Sequence, residues 1–409
     1  MPSNYVQDRP KILFVTSHWP LAAAYGAQQR ILNIARLLNR FGNVSFVIVP
    51  TEKEDEETVR RSEREFDIRR VIRPLQDAPA GPFDRISRRF QHEFDPLCMA
   101  TDPYIVSANE RAITQDLIDQ HDVVWVHTMR TANWFRIAKW PHSVLDVDDL
   151  PSRVYQSTAL SSGNPGRRFL DRRMQWISRR RELVLPKRFD VLTVCSEEDR
   201  RYLGCLERTH VIPNGAHAQA QRQFVDSAPP RIGFIGNCTF KPNEDGLYWF
   251  ISKVWPRVKS RIPSVRLRLV GRGSDGYLAK SGPDIDGCGW LEDPGEEIAS
   301  WSLMIVPVKV GSGTRVKMAE GFSRKCPIVA TPLGAFGYEV ESGREVLLGD
   351  SVEDFASACI LLLGNPGFRK SLSEAAYKRF LERWTWESFG GTVGAAVQEC
   401  LKRSSQCVR

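Results

Sequence analysis

Short, uninterrupted apolar runs, each followed by a loop and then by apolar residues at helical spacing, recur along this chain in two series. Ile12, Leu13, Phe14 and Val15 leave no polar side chain to turn toward water. Such a run predicts a strand covered on both faces, as in a parallel sheet. After a turn-rich loop, Ile31, Ile34, Ala35 and Leu38 fall at i, i+3, i+4 and i+7, while Arg30, Arg36 and Arg40 lie mostly off that stripe. Gly42 closes the helix and residues 44–49 give the next strand, so the chain begins with a βαβ unit.

The signal is poor across residues 52–111, where residues 52–70 are densely charged and predict a surface helix. Strands are expected again at 123–126, 144–145 and 191–194, and a short one ends in the turn Pro213-Asn214-Gly215. Residues 216–231 have the composition of a linker. A second series then starts with a strand at 232–235 and a helix carrying Leu247, Phe250, Ile251 and Val254 on one face. Further strands are expected at 265–270, 304–308, 327–330 and 346–348, with a short edge near 287–291 and a helical tail. The pattern predicts two α/β domains in tandem, residues 1–215 and 232–386. The segment 387–409 is expected as a helix packing back on the first.

A chain of 409 residues is long enough for two such cores. No apolar run approaches the roughly 18 residues that span a bilayer, and the polar first residues lack a signal-peptide core, so a cytoplasmic address is expected. The nine cysteines include no C-x-x-C pair, which argues against a zinc site and a disulfide framework. The net charge is +8, and part of it is concentrated between Arg167 and Arg188, where arginines alternate with Phe169, Leu170, Met174, Trp176 and Ile177. Such a segment reads as a solvated helix with a packed apolar stripe, or as a basic amphipathic surface for anionic lipid. Nucleic acid is disfavoured, because no recognised nucleic-acid module accompanies the charge.

The most informative stretch is residues 307–337. A buried strand breaks into a loop holding Gly311, Ser312, Gly313 and Thr314; Arg315, Lys317 and Glu320 follow on a helix start. Loop N–H groups and a positive helix end suit an anion, and two cations add the full charge that a diphosphate requires. Glu320 suits a sugar or ribose hydroxyl. The stretch reads as nucleotide-sugar recognition.

The order I-L-F-V-T … G-A-Q-Q-R, V-C-S-E-E, V-I-P-N-G, I-G-F-I-G … K-P-N, L-V-G-R-G, G-S-G-T-R-V-K-M-A-E-G and P-I-V-A-T-P-L-G resembles glycosyltransferase family 4. The resemblance implies the GT-B fold, an α/β architecture of two tandem Rossmann-like domains with parallel sheets facing a central cleft. It covers most of residues 11–386 and is strongest after Ile232. The family carries two glutamates eight positions apart in its donor loop; here Glu320 matches the second, and Ser312 stands at the first. This departure resembles a subgroup with a G-S-G-T-R-x-K loop, found in capsule or exopolysaccharide clusters. Asn237 stands where the family has an arginine, and Lys241 falls near its lysine. Arg315 and Lys317 would then supply the diphosphate charge. The resemblance further implies that Gly236, Gly271, Gly289, Trp290 and Leu291 line the donor site, with the nucleobase read near 289–291. It places Gly26 and Arg30 on the acceptor side. His127 matches a histidine that approaches the sugar, although a structural imidazole at a strand end is an equal reading. His18 and Trp19 fit either acceptor contact or packing.

The activity that the resemblance implies is retaining transfer from a nucleotide-diphosphate sugar to a lipid-linked or polysaccharide acceptor, with no cofactor and no essential metal. A nucleotide-sugar epimerase or hydrolase on the same fold, or a non-catalytic scaffold, are the alternatives. Two further signals compete. Residues 271–276 spell G-x-G-x-x-G with Glu292 about 20 positions on, but too few residues come before Ser281-Gly282-Pro283 to form the long helix of a dinucleotide site. Asp146 and Asp148 form a D-x-D at a strand end, read as a turn before the next helix rather than as a metal pair.

Overall fold

The structure, a computed structural model, describes residues 9–21, 26–76, 81–97, 102, 104–219, 228–276, 280 and 282–407. The chain divides into two compact units. Met1–Ser152, Arg173–Ile212 and Phe389–Arg409 form the first; Arg153–Arg172 and Pro213–Ser388 form the second.

In the first unit the order is β1 (Lys11–Thr16), α1 (Gly26–Leu38), β2 (Asn43–Ile48), α2 (Glu56–Glu65), β3 (Asp67–Val71), β4 (Leu75–Gln76) and α3 (Pro82–Phe94). Then come β5 (Tyr104–Ile105), α4 (Ala108–Asp119), β6 (Val123–His127), α5 (Met129–Trp134), β7 (Ser143–Asp146) and α6 (Pro151–Ser161). Helix α7 (Pro165–Leu183), α8 (Leu185–Arg188), β8 (Val191–Val194), α9 (Glu197–Leu203) and β9 (Thr209–Val211) follow, the unit boundary falling inside α6 and again inside α7. Seven strands form a parallel sheet in the order β3-β2-β1-β6-β7-β8-β9. The central strands are the uninterrupted apolar runs, and burying both faces satisfies them: Ile12, Leu13, Phe14 and Val15 are wholly buried. The C-terminal helix Gly390–Cys407 belongs to this unit, where Val393, Ala396, Val397 and Cys400 are buried and His210 Nε2 lies 2.8 Å from Glu399.

The charged segment 52–70 is not one helix. Asp55 caps α2 by accepting from the Thr58 N–H, and the helix stops at Glu65. Phe66 then packs edge-on against Phe46, and the chain continues as the edge strand β3, whose charged residues pair outside the sheet. Charge density hid a strand, because an edge strand need not be apolar.

The second unit contains β10 (Arg231–Ile235), α10 (Lys241–Trp249), α11 (Trp255–Arg261), β11 (Arg266–Val270), β12 (Ile285–Gly287), α12 (Gly295–Ala299) and β13 (Leu303–Val306). It continues with α13 (Val316–Ser323), β14 (Ile328–Ala330), β15 (Leu347–Leu348), α14 (Val352–Gly364) and α15 (Pro366–Arg383). Six parallel strands run β12-β11-β10-β13-β14-β15. In both sheets the strand order reverses beside the first strand, between β1 and β6 and between β10 and β13. Ligands of open α/β sheets bind outside the carboxyl ends of strands at such a reversal.

Candidate active site

In the second unit, β10 ends at Ile235 and the chain turns at Gly236 with φ +147°; a Cβ there would sit 3.2 Å from Lys317 Nζ. The glycine leaves the space that the lysine fills. Lys317 lies in the first turn of α13, its Nζ 2.8 Å from Asn243 Oδ1 and 4.0 Å from the centroid of the Phe234 ring. Burial and then the neighbouring Arg315 push its ammonium down to about 7, the Cys238 thiol opposing. Asn243 Nδ2 donates to the Asn237 carbonyl at 2.8 Å. The Asn237 side chain is engaged in its own turn, accepting from Thr239 N at 3.0 Å and Oγ1 at 2.8 Å.

The loop after β13 is braced from several sides. Gly311 has φ +134°, and a Cβ there would lie 2.5 Å from Arg315 Nη2, so the glycine lets Arg315 fold back over the loop. Arg315 Nη1 donates to the Ser312 carbonyl at 2.7 Å. Gly311 N donates to Ser157 Oγ at 2.9 Å, Gly313 takes φ +69°, and Ser312 is buried. Thr314 Oγ1 accepts from Asn214 N at 2.9 Å, and the Tyr338 hydroxyl donates to the Asn214 and Arg315 carbonyls at 2.8 and 3.1 Å. Glu320, further along α13, accepts from Arg324 Nε at 2.7 Å.

Gly271 N donates to the Gly289 carbonyl at 2.8 Å, and Gly289 N to Ser274 Oγ at 2.8 Å, tying the loops after β11 and β12 together. A Cβ on Gly271 would strike the Gly236 carbonyl, so these two turns are in contact. Leu291 packs against the apolar core, whereas Trp290 is exposed. The fold therefore gathers Gly236, Asn237, Gly271, Gly311, Arg315 and Lys317 around the carboxyl end of β10. Lys241 is turned away, exposed and paired with Asp245 at 2.7 Å and Glu244 at 3.3 Å. The sequence reading missed Asn243, although it lies in the quoted K-P-N motif.

In the first unit, the register sets Thr16, His127, Asp146 and Thr193 in a row at the carboxyl ends of neighbouring strands. Gly26 opens α1, and Arg30 one turn on is wholly buried. Its Nε and Nη2 donate to the two Asp146 oxygens at 2.9 and 2.6 Å, and Nη1 to the Ile212 carbonyl at 2.8 Å. Thr193 Oγ1 donates to Asp146 Oδ1 at 2.7 Å. Burial alone would raise the Asp146 carboxyl, but Arg30 more than offsets it and holds it below the ordinary carboxylate range. Asp148, at φ +58°, lies 3.9 Å from Arg30 and accepts from the Cys195 thiol. The D-x-D is thus bound into an internal network whose arginine comes from 116 positions upstream.

His127 sits beside that network, buried, with no hydrogen-bond partner for either ring nitrogen among the described residues. Burial lowers its proton affinity, with Asp146 and Asp148 opposing, so the imidazole is neutral at pH 7. Thr128 follows at φ +70°, and a β-branched residue in that region is strained by about 1–3 kcal/mol. Burial, then His127 and Arg130, lower His18 to about 4. Arg130 is steadied by Asp102, which also accepts from Trp134 Nε1 at 2.7 Å. Neither Arg130 nor Asp102 carried a sequence signal.

Residues 229–365 match the family described as glycosyl transferases group 1. An uncharacterized 44.6 kDa protein of the cps region of Klebsiella pneumoniae is 24% identical over 161 residues, a stretch spanning 37% of this chain and 42% of that relative. Among solved structures, sucrose-phosphate synthase from Thermosynechococcus elongatus superposes with a TM-score of 0.64 at 15% identity, covering 98% of this chain and 100% of that one. Anabaena HepE, solved in complex with UDP and glucose, gives 0.65 at 13% identity, covering 95% and 99%. Residues 229–365 thus match a group 1 glycosyltransferase domain, and the chain as a whole has the GT-B fold of the structures it superposes on.

Proposed function

We propose that the protein is a retaining glycosyltransferase that moves a sugar from a nucleotide-diphosphate donor to a lipid-linked or polysaccharide acceptor without an essential metal ion. The observation that carries this reading is the pair Arg315 and Lys317 beside a loop of N–H groups at the carboxyl end of β10. As the anomeric bond to the diphosphate breaks, negative charge grows on the leaving phosphate. Fixed cations and N–H groups take up that charge in the role a divalent ion plays elsewhere. Glu320 serves the ribose hydroxyls. His127, neutral and without a protein partner among the described residues, accepts from a sugar hydroxyl or steadies charge near the anomeric carbon. The UDP and glucose bound to HepE agree with a nucleotide-sugar as the donor.

The test is thermal stability and turnover with UDP-, GDP-, ADP- and TDP-sugars, with and without EDTA. Stabilisation by one nucleotide family, unchanged by EDTA, together with acceptor-dependent turnover, supports the proposal. Turnover without acceptor would make the protein a hydrolase, and binding only with a divalent ion would overturn metal independence.

The proposed location is cytoplasmic, against the inner face of a membrane. No helix among the described residues is long and apolar enough to cross a bilayer. Helix α3, however, leaves Phe83, Ile86 and Phe94 89%, 54% and 63% exposed, and their spacing puts them on one helix face. Arg180 lies over the Trp176 ring at 4.7 Å and near Phe94 at 5.9 Å, so cation and apolar surface adjoin, as anionic lipid requires. Flotation with phosphatidylglycerol vesicles but not with phosphatidylcholine vesicles, lost in Phe83→Glu, is the expected result; equal flotation with both would contradict it.

A further inference from the structure

We propose that Asn243 is the positioning residue for the donor-side cation: its carboxamide ties Lys317 Nζ to the Asn237 peptide at the end of β10 and holds the ammonium ready for the donor diphosphate. This rests on the donor-site reading above. Its geometry is directional. The ammonium can only donate, so the Asn243 atom 2.8 Å from it is the acceptor Oδ1; the Asn237 carbonyl can only accept, so the atom facing it is the donor Nδ2. A carboxamide meets both demands at once. Aspartate would set an oxygen against the Asn237 carbonyl, and alanine would leave both partners without the link.

The neutrality of the clamp matters as much as its reach. A carboxylate in the same place would pair with Lys317 and compete with an incoming diphosphate, whereas an amide oxygen fixes the ammonium without cancelling its charge. No carboxylate among the described residues pairs with Lys317. The groups that act on it are Arg315 from the loop after β13 and the Cys238 thiol from the turn after β10, with Asp275 facing that thiol from the turn after β11. The Phe234 ring closes one side. In the free protein this environment lets the ammonium give up its proton near neutral pH. A diphosphate restores the charge, so donor binding takes up a proton above that pH, and affinity falls by up to tenfold per pH unit there.

Two readouts test this. Pulsed acetylation across a pH series, with mass spectrometry of the Lys317 peptide, reports the lysine with no donor present. In the unmodified protein the midpoint is expected near pH 7, and in Asn243→Asp at least one unit higher. Calorimetry at pH 8 then follows the UDP-, GDP-, ADP- or TDP-glucose that binds, in two buffers of different ionisation enthalpy. The diphosphate of a nucleotide-sugar does not itself titrate there, so proton uptake reports the protein. Uptake approaching one proton is expected, much reduced in Asn243→Asp, with affinity about tenfold weaker in Asn243→Ala at pH 6. If Asn243→Asp does not fold, Asn243→Ser takes its place, with the Asn243→Ala loss of affinity expected in it too. A labelling midpoint indifferent to Asn243, or an Asn243→Ala protein that binds as the parent does, overturns the proposal. If the midpoint follows Asn243 while no nucleotide-sugar binds, the clamp stands and the donor-site reading falls.

Discussion

Each unit places a long cationic side chain close to its sheet reversal, and the two are handled in opposite ways. Arg30 in the first unit is wholly buried against the paired oxygens of Asp146, and that carboxylate raises its proton affinity despite the burial. Lys317 in the second is held by a neutral amide, and burial with Arg315 drives its proton affinity down. The difference teaches where an anion can bind. A bidentate pair sealed inside the protein has spent its charge on folding, whereas an ammonium fixed by an amide still has charge to give. On the function proposed above, the first unit keeps its chemistry for the neutral His127, and the second is the anion-binding half.

The strongest way to break this contrast is Arg30→Met, which strands a buried carboxylate. Unfolding free energy should fall by about 3–5 kcal/mol, measured by denaturant titration. The double change Arg30→Met with Asp146→Leu should recover much of that loss if the pair serves stability; recovery of catalysis as well would show that Arg30 touches no substrate. Next in size is His127→Gln, which should lower kcat by roughly a hundredfold while leaving nucleotide affinity near its original value. An unchanged kcat would return His127 to a packing role. Lys317→Ala should weaken nucleotide-sugar binding by about 1.5–3 kcal/mol, the range for a hydrogen bond to a charged group. At the small end stands Lys241→Ala. Its ammonium is exposed and engaged by Glu244 and Asp245, so donor affinity should not change; a clear loss would mean that Lys241 leaves these partners when the donor binds.

The central strands were legible because an uninterrupted apolar run has few places to go other than a doubly covered sheet, and residues 12–15 and 232–235 are where such strands lie. Edge strand β3 was hidden because its residues are charged; its pairing with β2 and the packing of Phe66 on Phe46 hold it in the sheet. In the candidate site, the glycines and cations of residues 311–317 stood together in sequence, so their loop could be read directly. The Arg30–Asp146 pair joins residues 116 positions apart, and Asn243 reaches Lys317 across 74. No local pattern encodes such pairings; the parallel crossovers of the two sheets create them.

The central claim is that fixed cations of the second unit, rather than a metal, hold the donor diphosphate. Calorimetric titration of the protein and of Lys317→Ala with the binding nucleotide-sugar, in EDTA at pH 6, tests it most directly. Binding by the parent that EDTA leaves intact, and a ten- to hundredfold loss in the variant, is the predicted result. Equal affinity in the two proteins, or binding by the parent only after a divalent ion is restored, would contradict it.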